Sequence, residues 1–473
     1  MDRPAPDVLA RMPLAEAVLL LWRWLAAEEH LQGVFERWRG RCYEKIISFA
    51  LMVRLIADAL LQYAGSGRQS FTRAKERSEL AASVRAAYGK LRRLPIPLSM
   101  AFQAGCSDRL RPLYPQEAQT PLPKSLAGFQ IVVFDGKAVK RVAKRLKFLR
   151  GIAGGLLGGR ALVALDLARG LAVALHAHPD GDANDVRFVP ELLPEVRQRV
   201  PGPRLWMGDR AFCDLANTAR FAAVEGDHFL VRYHPKVPFY PDAARASRKG
   251  TDCQGRPYVE QWAWLGSPKN RQRRYVRIIT LQRPGEEDLI LVTDLLDATE
   301  YPAADLLELY LMRWGIERMF QQVTEVFGLQ GLIGGTPEAT VFQFAFCLVL
   351  YNLIQLVRAF VAAAAKRARE TISTENLFED VRRELIAWNV MIEPEATVTY
   401  FDAQGSWTAP RVKKRLQTLL RSVWTDRWIK AARKKRSPAQ AVAQARTHGS
   451  VYRILEEHRH ALNRKKHPGK TPI

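Results

Sequence analysis

The sequence is short of what a secreted or zinc-bound protein needs. Its five cysteines, Cys42, Cys106, Cys213, Cys253 and Cys347, stand far apart and form no C-x-x-C pair. That scatter argues against a disulfide framework or a zinc site and fits a reducing compartment. Acidic residues are scarce too: 48 Asp and Glu face 72 Lys and Arg, a net charge of +24. No internal repeat, long low-complexity tract or signal peptide stands out, since Arg23 interrupts the apolar stretch from Val18 to Ala27 and no cleavage site follows. Only one long run lacks charge, "ATVFQFAFCLVLYNLIQLV" from Ala339 to Val357, about the length a bilayer requires. Gln343, Asn352 and Gln355 dilute it, and it reads as a helix buried inside the protein.

What is there in surplus is positive charge. With 473 residues, 48% hydrophobic and 25% charged, the chain has a globular composition and length for two or three domains. Its charge creates a standing attraction for polyanions, nucleic acid foremost, because neutralised phosphates release counterions whatever the base sequence. Solubility is the plain alternative use of such a surplus.

Residues 1–120 read as helical, with apolar positions at helical spacing in "PLAEAVLLLWRWLAAEEHLQGVFERWRG" and "YEKIISFALMVRLIADALLQYA". A third helix ends at Pro95, and Pro112, Pro115, Pro121 and Pro123 mark a linker. Past it, "GFQIVVFDGK" is a strand closing on Asp135-Gly136. Two more strands flank a turn at Arg169-Gly170, and "RLWMGDRAF" and "DHFLVRYH" are further strands. Helices are expected over "NDVRFVPELLPEVRQRV", capped by Asn184 or Asp185, and over "CDLANTARFAAVEG". The order β-β-β-α-β-α-β suits a mixed sheet with helices packed on it. From about 235 to 300 three strand-like stretches form a β-rich insertion in a mixed domain spanning 121–365. The tail, 366–473, is helical and basic, with eleven Lys or Arg against Asp426 alone between Arg411 and Arg436.

Three acids stand where chemistry can use them. Asp135 ends the first strand, Asp209 ends the fourth, and Glu317 lies on a helix carrying "YLMRWGIERMF". Open sheets place ligands beyond strand ends, where carboxylates converge. Mg²⁺ prefers hard oxygen donors and keeps positions free for water and phosphate, and two such ions bridged by a carboxylate serve both the attacking and the leaving oxygen. Each acid also has an ordinary reading: a turn at Asp135-Gly136, a helix N-cap at Asp209, a surface pair between Glu317 and Arg313. Arg313 lies four residues before Glu317 and Tyr310 three before Arg313, which puts all three along one stripe of a helix.

These residues resemble the DDE transposases of the insertion sequence 4 family. That family carries its first Asp after an initial strand, its second in Asp-Arg-Gly/Ala-Phe/Tyr, and its Glu in Tyr-x2-Arg-x3-Glu-x6-Lys. Here they are Asp135 in "VVFDGK", Asp209 in "MGDRAFCD", and Tyr310, Arg313 and Glu317, within a likeness running over about residues 85–360. The resemblance implies an α/β fold, a ribonuclease-H-like mixed sheet with a β-rich insertion between helical flanks. It implies Mg²⁺, with Mn²⁺ able to substitute, held by Asp135, Asp209 and Glu317. The expected reaction is cleavage of DNA at insertion-sequence ends and joining of the 3′ ends to target DNA. A homodimer in the DNA complex, no membrane partner, and a cytoplasmic, nucleoid-associated place in a bacterium are also expected. Tyr310 and Arg313 would hold the phosphate beside the reacting bond, for which a guanidinium fork and a phenol are suited. Lys137 and Arg210 are further DNA contacts, while Trp314 and Ile316 read as core. Two departures stand out: Thr324 replaces the signature Lys, and Lys137 occupies a place that often holds Ser or Thr. A nuclease of the same fold that never joins ends, and a DNA-binding protein with a relic triad, remain the alternatives.

In the insertion, Trp262 and Trp264 share a strand face and are either base-stacking surfaces or core of a small sheet. Lys269, Arg271, Arg273, Arg274 and Arg277 beside them read as a phosphate-tracking loop. Helical residues before 120 and the basic tail are the expected places for recognising DNA ends, with Trp424 and Trp428 as core on one helix face. His176 and His178 near Asp180 and Asp182 suggest alternate strand positions followed by a polar turn rather than a metal site.

Overall fold

The computed structural model describes residues 6–63, 65–140, 149–152, 154–327, 329, 333–430 and 449–466. Helices α1 (Pro6–Ala10), α2 (Pro13–Leu25), α3 (Glu28–Trp38), α4 (Phe49–Leu61), α5 (Gly67–Glu76), α6 (Val84–Leu91) and α7 (Ile96–Leu110) come first. Strands β1 (Gln130–Lys140), β2 (Leu156–Asp166) and β3 (Leu171–His178) follow, then α8 (Val189–Arg199), β4 (Arg204–Gly208), α9 (Leu215–Phe221) and β5 (Asp227–Arg232). Next are β6 (Phe239–Pro241), β7 (Arg248–Thr251), β8 (Pro257–Leu265), β9 (Arg274–Leu281) and β10 (Leu289–Thr293). Helices α10 (Ala303–Leu311), α11 (Trp314–Glu325), α12 (Pro337–Ala364), α13 (Thr374–Met391), α14 (Pro394–Asp402) and α15 (Ala409–Leu419) precede β11 (Gly449–Ser450) and α16 (Val451–Lys466).

The core of the sheet runs β3-β2-β1-β4-β5, with β1 antiparallel to β2, β2 antiparallel to β3, and β1, β4 and β5 mutually parallel. That is the ribonuclease-H-like mixed sheet. The apolar run Ile131–Phe134 is buried on both faces, as a central strand requires. One face, with Val132, Phe134 and Trp206, packs under α8 and α9; the other, with Ile131, Val133 and Met207, faces the larger helical core. The β-rich insertion lengthens this sheet rather than forming a layer of its own. β10 pairs antiparallel with β5, and β9, β8 and β6 continue outward from it.

Three local expectations are corrected. The helix expected to end at Pro95 stops at Leu91, and "PIPLSMAF" opens the next one, with Pro95 at the N-cap of α7, where a missing N–H costs nothing. "RLWMGDRAF" stops being a strand at Gly208, and Asp209 caps a 3₁₀ turn over Arg210–Phe212. Trp424 and Trp428 do not ride one α-helix; Trp428 closes the 3₁₀ turn Asp426–Trp428 and is buried, with the Trp424 ring edge-on at 6.2 Å. The basic tail beyond Lys430 lies largely outside the described residues.

The uncharged run became α12, 28 residues long and wrapped by protein along its length. Its diluting polar groups each reach a buried backbone group or another polar side chain. Asn352 accepts from Ala172 N at 2.8 Å and donates to Ala172 O at 2.7 Å, pairing the edge of β3 as another strand would. Gln343 accepts from Ile333 N, and Thr340 donates to Gly158 O on β2. The Phe342 ring meets Phe49 and Phe102, each within 6 Å, so α4, α7 and α12 share one aromatic core. Helix α2 is held from the far end of the chain: Glu384 on α13 accepts from Leu14 N and Ala15 N at 2.8 and 3.0 Å.

Two outcomes follow. Asn352→Leu leaves Ala172 N unpaired in the core, while Ala172 O keeps the Gln103 amide at 2.8 Å, and is expected to cost about 1–3 kcal/mol in denaturant unfolding; a loss near zero would remove Asn352 from that role. Burial pushes the Glu384 carboxyl up from 4.5 to about 7, the two N–H donors pulling the other way. The folded chain therefore holds a proton the unfolded chain has released, a contribution to stability that is lost as pH rises from 4.5 to about 7. Glu384→Gln is expected to melt with wild type near pH 4.5 and above it at pH 8; parallel melting curves across that range would contradict the assignment.

Candidate active site

Neighbouring strands lie about 4.8 Å apart, and the parallel register of β1 and β4 pairs Val133 with Met207. Two residues further along stand Asp135, still on β1 and on the face of Val133, and Asp209, one residue past the end of β4. Asp135 is mid-strand, not at a strand end as expected: β1 continues to Lys140 beside β2, with Asp135 opposite Val163. What ends is its other neighbour, since β4 stops at Gly208. The gap left there opens Asp135 to the face where α11 lies. Gly136 is no turn either. A Cβ there would land 1.4 Å from Asp185 Oδ2, whose carboxylate pairs with Arg160 at 2.6 Å.

The helix expected over "YLMRWGIERMF" is broken at Met312–Arg313, between α10 and α11. Tyr310 ends up buried, its hydroxyl donating to Gly208 O at 3.3 Å, one residue before Asp209. Arg313, also buried, lies over the Tyr310 ring and donates to Glu317 Oε1 at 2.8 Å. Helix α11 runs beside β1, with the Phe320 ring below the Lys137 ammonium at 5.4 Å. Glu317 therefore faces Asp135 across the gap.

The carboxyl of Asp135 is pushed up to about 6, by burial first, with Asp209 and Glu317 adding to the effect while the Gly136 N–H and Arg313 oppose it. The three acids thus form one electrostatic corner. Asp135 Oδ1 accepts from Gly136 N and Asp209 Oδ1 from Ala211 N, both at 2.8 Å. Both readings of Asp209, cap and corner carboxylate, hold at once. Among the described residues no three His, Cys, Asp or Glu side chains sit close enough to share a single ion. The donors are hard carboxylate oxygens of a kind that suits Mg²⁺.

The other sequence candidates fare unequally. Arg210 is drawn off to Glu287 at 3.0 Å, which it shares with Arg232. Arg273 is exposed and covers the ring of Trp264 at 4.4 Å; Trp264 is 37% exposed. Arg274 is half-buried at the start of β9. Trp262 offers no free face: it is buried, donates its indole N–H to Leu296 O at 2.9 Å, and lies under Arg245. Arg277 tracks no phosphate either, being fully buried against Glu260. Thr324 turns its hydroxyl back to Phe320 O on its own helix. His176 and His178 pack their rings on Phe188, and Arg453 takes Asp180. Two residues escaped the sequence reading. Trp314, taken for core, is 54% exposed with Arg313 beside its ring. Arg232 on β5 lies near enough to act on the Tyr310 phenol. Trp314 follows the helix break, so its phase could not be read from a continuous period.

The fold is a ribonuclease-H-like mixed sheet, with the three acids gathered at one corner of it. Residues 128–353, which carry all three acids, match the family described as the Transposase DDE domain. No curated protein matches the chain. A solved piggyBac transposase, seen by cryo-EM in a synaptic complex with hairpin DNA, is similar at a TM-score of 0.39 and 9% identity, over 85% of each chain.

With no ion added, carbon-13 NMR of aspartate carboxyls is expected to show Asp135 titrating near pH 6 and moving lower in Asp209→Asn, where one like charge is gone. An unmoved titration would mean that the two strands do not couple there.

Proposed function

We propose that the chain is a metal-dependent DNA transposase of the insertion sequence 4 type, cutting element ends and joining the 3′ ends to target DNA. The observation that supports this reading most is the coupling of Asp135 to both Asp209 and Glu317, from two strands and one helix, inside the segment that matches the Transposase DDE domain. Asp135, Asp209 and Glu317 are the carboxylates that would hold the metal, Asp135 being the one coupled to both of the others. Held there, Mg²⁺ or Mn²⁺ would supply the positive charge that favours an attacking oxygen and a departing 3′ oxygen.

The protein's own contribution begins with Arg313. In the free chain its guanidinium neutralises Glu317. A phosphate entering the corner offers that guanidinium planar, charge-assisted bonds, which frees the carboxylate for a cation. Tyr310 braces the same segment against Gly208, and so sets Asp209 relative to Arg313. Trp314, exposed beside Arg313, presents a face on which an unstacked base can rest. Lys137 on β1, and Arg273 and Arg274 at the start of β9, are proposed contacts to the DNA backbone. The helical residues before 120 and the basic tail are the proposed sites of end recognition.

Asp135→Ala, Asp209→Ala and Glu317→Ala are each expected to lower Mg²⁺-dependent cleavage of end-containing DNA by roughly 10²–10³-fold or more, with DNA affinity near wild type. A variant that still nicks at the wild-type rate removes its residue from the site. Precut ends incubated with supercoiled plasmid separate transposase from nuclease: joined products are expected, and cleavage without joining would leave only the nuclease.

A further inference from the structure

On the side of α11 turned away from Glu317, a second site of opposite charge is built. Met312, Gly315, Arg318 and Gln322 line one face of the segment and border a cavity of about 210 Å³. Arg358 enters it from α12, Arg369 from the turn before α13, and Lys430 from the chain after Trp428. Four cationic side chains thus meet one carboxylate, Glu370. Arg358 and Arg369 are each 7% exposed.

The internal partners of these cations are neutral apart from that acid. Arg369 donates to the Tyr114 hydroxyl, Arg169 O, Thr120 and Glu370. Arg358 donates to Gln355 Oε1 at 2.9 Å and to Arg369 O, and its buried Nε has no partner among the described residues. Lys430 donates to Glu370 O. Close approach at the cavity wall needs a glycine: Gly170 has φ +67°, and a Cβ there would lie 3.1 Å from the Arg369 guanidinium. Buried charge without a counter-charge costs several kcal/mol unless something neutralises it. Consistent with that strain, Lys430 is pushed down to about 8 by burial and then by Arg358 and Arg318, and Arg358 to about 10 by burial and then by Arg369.

We propose that this cavity is a binding site for a phosphate group, held by Arg318, Arg358, Arg369 and Lys430. Guanidinium forks suit tetrahedral oxyanions, and the volume admits a phosphate with a few waters. The phosphate belongs either to a DNA backbone or to a free phosphate-bearing molecule; the recognising chemistry is the same. Its occupation ties α11, α12 and the segment carrying Lys430 together, and so steadies the helix that carries Glu317. The site does not depend on the reading of the carboxylate corner, because it is tested with phosphate alone.

Thermal unfolding and calorimetry of the full chain in sodium phosphate, against sodium chloride of equal ionic strength, test it. Phosphate is expected to raise Tm by about 3 °C beyond chloride and to titrate at one site per chain. Arg318→Met and Lys430→Met change side chains at the rim and are expected to lose most of that increment, read within each variant against its own chloride melt. No phosphate-specific rise in wild type, or the full rise in both variants, overturns the proposal. Competition assigns the source. A DNA duplex that displaces phosphate from wild type points to a backbone phosphate, and phosphate binding undisturbed by saturating DNA points to a free ligand; both uphold the site.

Discussion

A helix buried on every side has nowhere to send its polar groups except into the protein, and α12 imposes that requirement on everything around it. Its backbone is satisfied within the helix, so what remains are the side chains of Thr340, Gln343, Asn352 and Gln355 and the guanidinium of Arg358. Each fixes a neighbour. Asn352 replaces the missing partner of the β3 edge, Thr340 ties down β2 at Gly158, and Gln355 reaches Gln322 on α11 at 3.4 Å. An unmade bond at any of these places leaves a desolvated polar atom at a cost of about 1–3 kcal/mol. The helix that carries Glu317 is therefore positioned by the same core element that positions the sheet carrying Asp135. Distance between the acids is a property of this packing, not of the loops.

Much of this was legible in the sequence, and the parts that were not share a cause. Runs of apolar and β-branched residues located the strands of the core sheet, and the uncharged run with three polar interruptions read correctly as a buried helix. The acids could be ordered along strand, strand and helix because their contexts are local. What failed was anything set by a distant partner. Asp135 reads as the end of a strand, yet it ends only on the side where β4 stops, a fact of register between residues far apart in the chain. Trp262 and Trp264 sit two apart and look equivalent, but one is sealed by Leu296 and Arg245 while the other stays open beside Arg273. Arg277 looks like one more cation in a basic loop and is instead neutralised by Glu260 across the β8–β9 ladder. The joining of the β-rich insertion to the main sheet through β10 and β5 has no local signature either.

The chain's surplus of positive charge gives the carboxylate corner its meaning. In a protein of net charge +24, acids are the minority, and most of those near the sheet are consumed: Asp227 by Arg197 and Arg204, Asp185 by Arg160, Glu260 by Arg277. At the corner the balance inverts. Three carboxylates stand there against one close guanidinium, and burial makes Asp135 reluctant to ionise. Arg313 holds this arrangement in the free protein by pairing with Glu317. Phenol, guanidinium and carboxylate along one segment thus have separate roles: the phenol ties the turn to Gly208, and the guanidinium neutralises the carboxylate.

Helix α11 then separates two excesses of opposite sign. Glu317 faces the acidic corner, and Arg318, the next residue, is turned about 100° away toward the cavity of Arg358, Arg369 and Lys430. A helix with its side chains is only about 10 Å across, so each excess is felt by the other, and an anion on one side lowers the cost of a cation on the other. Coupling of that kind needs no moving part. It follows from one acidic and one basic cluster on different faces of one helix whose position the buried α12 has already set.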